Sequence, residues 1–164
     1  MNLDSEILQK LNTYIKEINY KCFSRGCIVF APPATGKTFF INNQDENNKV
    51  WLDADIVLGH FKIHTLEYHD VPHSEEEDRT HYLLCDKWLK HMKYLGMNIL
   101  GSLFYEYIPD AVVIIDKNVH NKYIDKRTDL EYNYVLKIIH ILEIMVFKYN
   151  IILFDNLENL NSFV

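Results

Sequence analysis

Between a short apolar run, Cys27-Ile28-Val29-Phe30, and a stretch of helical spacing lies Ala31-Pro32-Pro33-Ala34-Thr35-Gly36-Lys37-Thr38. The pattern G-x-x-x-x-G-K-[ST], set between a strand and a helix, wraps a phosphate in successive backbone N–H groups. The start of the following helix adds a favourable partial charge. In that chemistry Lys37 bridges the β- and γ-phosphates of a nucleotide, and the Thr38 hydroxyl binds Mg²⁺. Residues 31–38 and the adjoining Phe39 are the expected nucleotide contacts, with ATP and Mg²⁺ as cofactors. Ala31 replaces the first glycine of the pattern. Alanine is penalised wherever φ must be positive, so Ala31 is the expected weak point of the loop. Pro32-Pro33 stiffens the turn that precedes it.

One helix and one strand further on, Val50-Trp51-Leu52 ends in Asp53-Ala54-Asp55. Carboxylates at the C-terminal end of a parallel strand sit where α/β sheets hold their ligands. Either aspartate can take the proton of an acceptor hydroxyl and orient it for phosphoryl transfer. Asp53 is also in reach of the Mg²⁺ held by Thr38. The competing role for both is capping of the next helix, for which Asp is favoured. That role is expected more for Asp55 than for Asp53.

The elements needed to position these groups follow from periodicity. Ile7, Leu8, Leu11, Ile15 and Ile18 recur at helical spacing after Asp4 or Ser5, predicting an N-terminal helix within residues 1–20 that packs on the core. Ser74 with Glu77 forms a capping box, opening a long helix whose stripe includes Leu84, Cys85, Trp88, Leu89, Met92 and Leu95 and which Gly96 ends. Met97–Leu100 and Ala111–Ile115 read as buried strands, Ile151–Phe154 as a last strand, and residues 130–149 as an apolar helix. Residues 59–73 show no clean period. Strands alternating with helices predict a single α/β domain over residues 1–164, a three-layer fold with a parallel sheet of about five strands and helices on both faces.

Loop, helix, strand and then Asp-x-Asp resembles the small-molecule kinases of the P-loop NTPase superfamily: shikimate and gluconate kinases, the zeta-toxin group and nucleoside monophosphate kinase-like enzymes. The resemblance implies an ATP-dependent kinase acting on a nucleoside, nucleotide or similar small acceptor. It makes one of Asp53 and Asp55 the acceptor-side base. Gly101-Ser102 resembles the small residues that end the third strand in several of these families. The basic segment after Ile115 resembles their lid, with Lys122, Lys126 and Arg127 as its cations and Arg127 as the residue that closes on the transferring phosphate. Arg79 is the alternative for that role. His64, Tyr68 and His69 fall where related kinases bind the acceptor.

Other readings remain beside it. "AVVIID", ending at Asp116, has the form of a Walker-B strand in a P-loop ATPase doing switch or mechanical work, although it falls on the fourth strand. A 5′-polynucleotide kinase would need a basic track, and a net charge of −6 argues against one. His60, His64, His69 and His73 cluster without the H-E-x-x-H spacing and without a neighbouring cysteine, so polar surface or acceptor contact is expected over zinc. Trp88, Phe104, Tyr105 and Tyr107 are expected in the core or the pocket wall. Three cysteines with no C-x-x-C spacing fit reduced thiols in a cytosolic compartment. The acidic, polar first ten residues are unlike a targeting peptide. With 48% hydrophobic and 24% charged residues, and no apolar run long enough to span a bilayer, a soluble cytoplasmic protein is expected.

Overall fold

A computed structural model describes residues 2–164. The elements run α1 (Leu3–Glu17), β1 (Cys27–Phe30), α2 (Lys37–Asn42), β2 (Trp51–Asp53), α3 (Ala54–His60) and α4 (Glu75–Tyr94). They continue with β3 (Asn98–Gly101), β4 (Ala111–Val113), α5 (Lys117–Asp125), α6 (Tyr132–Tyr149) and β5 (Ile152–Phe154). Single 3₁₀ segments occur at Leu66–Asp70 and Glu158–Ser162. The five strands form one parallel sheet in the order β2-β3-β1-β4-β5. With β1 in the centre, β2 and β3 lie on one side of it and β4 and β5 on the other.

Alternation along the strands divides the core in two. Ile28, Phe30, Ile99 and Val112 meet Leu11 of α1, Val57 of α3, Leu89 and Met92 of α4, and Leu142 of α6. On the opposite face Val29, Leu100, Ala111 and Val113 meet Ile41 of α2 and Leu157 and Leu160 near the C-terminus. Strands covered on both faces lose the usual polar-out alternation, which is why β1 and β3 are buried at every position. Each such leucine, isoleucine or phenylalanine contributes roughly 1.5–3 kcal/mol on burial.

Several boundaries differ from expectation. Asn2, and neither Asp4 nor Ser5, caps α1, its side chain accepting from the Ser5 N–H at 2.8 Å. Asp4 instead pairs across to Lys87 on α4 at 3.0 Å. The capping box of α4 is present, with both Ser74–Glu77 bonds made. Gly96 does end that region: its φ is +88°, and a methyl there would lie 2.1 Å from the Phe23 carbonyl oxygen. β4 stops at Val113, short of Ile115, and α6 starts at Tyr132. The segment without a clean period contains the end of α3, a helix of seven residues.

Lys93 and Asp110 join α4 to the entry of β4. Lys93 Nζ lies 2.5 Å from Asp110 Oδ1, and Asp110 Oδ2 accepts from the Ile28 N–H at 2.8 Å. Among the described residues no helix is long and apolar enough to cross a membrane.

Candidate functional site

In a wholly parallel sheet all strands deliver their C-terminal ends to one edge. There the loops after β1, β2 and β3 and the α5–α6 connection surround a cleft of about 1320 Å³. Its lining includes Pro33, Ala34, Gly36, Lys37, Thr38 and Phe39, then Asp53, Asp55, Ser102, Lys126 and Arg127.

The loop between β1 and α2 has positive φ at Ala34 (61°) and at Gly36 (96°) but not at Thr35 between them. Alternation of hand over consecutive residues is the conformation that turns N–H groups into a common anion-binding concavity. Ala31 is fully buried with its N–H donating to the Gly101 carbonyl at 2.8 Å, and its φ is not positive. The strain expected at Ala31 therefore falls on Ala34, where a Cβ in the left-handed region costs roughly 1–2 kcal/mol. Thr35 is buried and its hydroxyl donates to the Pro32 carbonyl.

Lys37 folds back on the same loop, its ammonium donating to the carbonyls of Ala31 at 3.0 Å and Pro32 at 2.8 Å. Desolvation lowers its pKa to about 8, against the attraction of Asp55 and Asp53. His120, almost fully buried on α5, hydrogen-bonds the Pro33 carbonyl through Nε2 at 2.8 Å and so ties α5 to the loop. Sequence reading did not single out His120. Its polar neighbours in a basic segment gave no sign that it points inward. Phe39 remains 75% exposed at the cleft rim.

Asp53 is the last residue of β2 and the N-cap of α3, where its Oδ1 accepts from the Asp55 N–H at 2.8 Å. The cap thus falls on Asp53, not chiefly on Asp55 as expected. Asp55 follows in the first turn of α3, and among the described residues no hydrogen bond is made to its carboxylate. Both carboxyls are raised above 3.8, first by desolvation. For Asp53 the neighbouring Asp55 charge adds to this; for Asp55 the Lys37 ammonium opposes it.

Arg127 lies in the connection between α5 and α6 and lines the cleft. Its guanidinium forks onto Asp129, Nε to Oδ1 at 3.0 Å and the terminal nitrogen to Oδ2 at 2.6 Å. That pairing holds the Asp129 carboxyl below its usual range. Lys126 also lines the cleft, whereas Lys122 and Arg79 do not. Asp116 caps α5, accepting from the N–H groups of Asn118 and Val119. A second cavity, of about 640 Å³, adjoins the loop past Gly36 and Tyr123 and is lined by Phe39, Phe40, Asp155 and Asn156 among others.

The wall facing the loop carries His64, His69, Tyr82, Phe104 and Tyr134. Tyr68 is set back from it. Its ring stacks between His73 (centroids 4.1 Å apart) and His81 (3.7 Å), and its hydroxyl donates to Asp78 at 2.5 Å. His60 packs on Tyr14 instead. Of the four histidines expected to cluster, His64, His69 and His73 gather round the Tyr68 ring, with centroids 5.8, 5.8 and 4.1 Å from it, and His60 stands apart. The expectation that no cysteine joins them is overturned: His64 Nδ1 meets His81 Nε2 at 2.8 Å, and Cys85 Sγ lies 3.9 Å from the same His81 nitrogen. Burial lowers the pKa of both imidazoles. His81 and Cys85 are one helical turn apart, a signal that the apolar stripe of α4 concealed. Trp88 is in the core, Phe104 and Tyr107 pack against it, and Tyr105 is exposed.

No protein-family model matches this chain, and no curated protein sequence matches it.

Proposed function

We propose that the protein is an ATP-dependent phosphotransferase of the P-loop type, acting on a small acceptor such as a nucleoside or nucleotide. The observation that carries this reading is one cleft lined by the alternating-hand loop with Lys37, by Asp53 and Asp55, and by Arg127. Phosphoryl transfer needs little covalent chemistry from the protein. It needs a phosphate cradle, cations where charge develops, and a base near the nucleophile.

The donor's phosphates occupy the concavity at residues 34–36, and Lys37 exchanges its two loop carbonyls for phosphate oxygens. Thr38 and Asp53 offer the hard oxygen donors that Mg²⁺ requires. Mg²⁺ held by them would neutralise the charge that develops on the transferring phosphate. Asp55, free of helix-cap bonds and with a raised pKa, accepts the acceptor's hydroxyl proton as the new O–P bond forms and the bond to the nucleoside diphosphate breaks. Arg127 leaves Asp129 and turns its fork to two γ-oxygens. The second cavity, with Phe39 and Asn156, has room for the donor's base. His64, Tyr82, Phe104 and Tyr134 give the acceptor an aromatic wall with rings tilted to one another, which favours a ring-bearing acceptor.

The test is transfer from γ-labelled ATP to a panel of nucleosides, nucleoside monophosphates, sugars and 5′-hydroxyl oligonucleotides. Labelled product from a small acceptor, lost about 10²–10³-fold in Lys37→Ala, supports the proposal. ATP hydrolysis without transfer to any acceptor refutes it in favour of an ATPase. Transfer to the oligonucleotide alone refutes the small-acceptor assignment.

A further inference from the structure

We propose that His64, His81 and Cys85 form a binding site for a soft divalent metal, Zn²⁺ in the first place, in the wall of the cleft opposite the phosphate loop. The three side chains come from two segments: His64 from the connection after α3, and His81 and Cys85 from successive turns of α4. Their donor atoms all lie within 4.8 Å of one another. Two distances are fixed individually, 2.8 Å between His64 Nδ1 and His81 Nε2 and 3.9 Å from that nitrogen to Cys85 Sγ.

Zn–N and Zn–S bonds at tetrahedral angles require about 3.3 Å between nitrogens and about 3.6 Å from nitrogen to sulfur. Opening His64 from His81 by about half an ångström and drawing Cys85 in by a few tenths brings both pairs to that geometry. His64 sits on a connecting segment, so it is the member free to adjust. Cys85 is fully buried within α4, and His81 is oriented by the Tyr68 ring stacked on it at 3.7 Å. The Tyr68 hydroxyl is anchored in turn on Asp78.

The donor set selects the metal. Two imidazoles and a thiolate suit zinc, while Mg²⁺ and Ca²⁺ demand oxygens, and no carboxylate belongs to this cluster. The site is thus chemically separate from Thr38 and Asp53 and does not depend on the kinase reading. On binding, the Cys85 thiol releases its proton to solvent as the S–metal bond forms. Three protein ligands would leave a fourth position for water or another ligand. A metal here ties the segment between α3 and α4 onto α4 and fixes that wall.

The test is titration of the chelator-treated full chain with Co²⁺, followed by Zn²⁺ competition, without nucleotide. The expected result is one equivalent bound, with a thiolate-to-cobalt charge-transfer band in the near ultraviolet, displaced by Zn²⁺, and a raised melting temperature. Cys85→Ser should abolish the band while Cys22→Ser leaves it. His64→Ala should weaken Zn²⁺ by more than the ~10–100-fold typical of outer supporting residues. Absence of the band in the wild-type chain, or its survival in Cys85→Ser, overturns the proposal. Should Cys85→Ser fail to fold, His64→Ala decides: unchanged Zn²⁺ affinity overturns the site.

Discussion

Raising the pH from 7 to 9 should weaken nucleotide binding about tenfold, through one side chain. In the free protein Lys37 is desolvated and has a pKa of about 8. Phosphate oxygens beside it favour the ammonium, so its pKa rises in the complex and binding takes up a proton wherever the free lysine is neutral. A group at pH one unit below its pKa is about 90% protonated and one unit above about 10%. The dissociation constant then grows about tenfold between pH 7 and 9, or roughly 1.4 kcal/mol. The phosphate's own second ionisation, near pH 6, lies below this window. Unfolding does not mimic the effect. Because the folded pKa lies below the ordinary 10.5, the unfolded chain binds more protons between about pH 8 and 10.5. Lys37 therefore makes the fold gain stability with rising pH in that window. Calorimetric titration with ADP at fixed Mg²⁺, at pH 7, 8 and 9, measures the shift. Lys37→Arg stays charged throughout this range and should flatten the profile. A flat profile in the wild-type protein would refute the contact between Lys37 and phosphate.

Further outcomes follow from single observations. Ala34→Gly removes a Cβ from a left-handed position and should raise stability by about 1 kcal/mol, near 2–4 °C in melting temperature, with nucleotide binding retained. Asp55→Asn should lower kcat roughly 10²–10⁴-fold with the KM for ATP little changed, as measured by steady-state kinetics, because its carboxylate acts on the acceptor. Arg127→Ala should lower kcat by roughly 10³ or more, while Arg127→Lys retains part of the rate and ground-state ATP affinity stays near wild type by stopped-flow binding. Asp110→Ala strands the Lys93 ammonium and the Ile28 N–H together and should cost about 3 kcal/mol in urea unfolding.

Much of the fold was legible because long-range packing left local marks. Cys27–Phe30 is an unbroken apolar run because both faces of β1 are covered, and Ser74 with Glu77 announces α4 because the capping box is a contact across three residues. The loop with Lys37 was legible for the same reason: its chemistry is contiguous in the chain. What stayed hidden is what tertiary structure assembles. α3 is too short to show a stripe, and its cap, Asp53, looks the same in sequence whether it bonds an N–H or a metal. The strain at Ala34 depends on a φ that residue type alone argues against. Cys85 was read as part of an apolar stripe, which its full burial agrees with, yet its sulfur also faces the imidazole one turn earlier. His120 and the Arg127–Asp129 fork likewise depend on where side chains end up, not on how the letters are spaced.

The most direct measurement of the central claim is a crystal structure with Mg²⁺ and a non-hydrolysable ATP analogue. The account predicts phosphate oxygens within hydrogen-bond distance of the N–H groups of residues 34–38, the Lys37 ammonium moved from the Ala31 and Pro32 carbonyls onto them, and Mg²⁺ on Thr38. An analogue seated anywhere else, with Lys37 still on those two carbonyls, would contradict it.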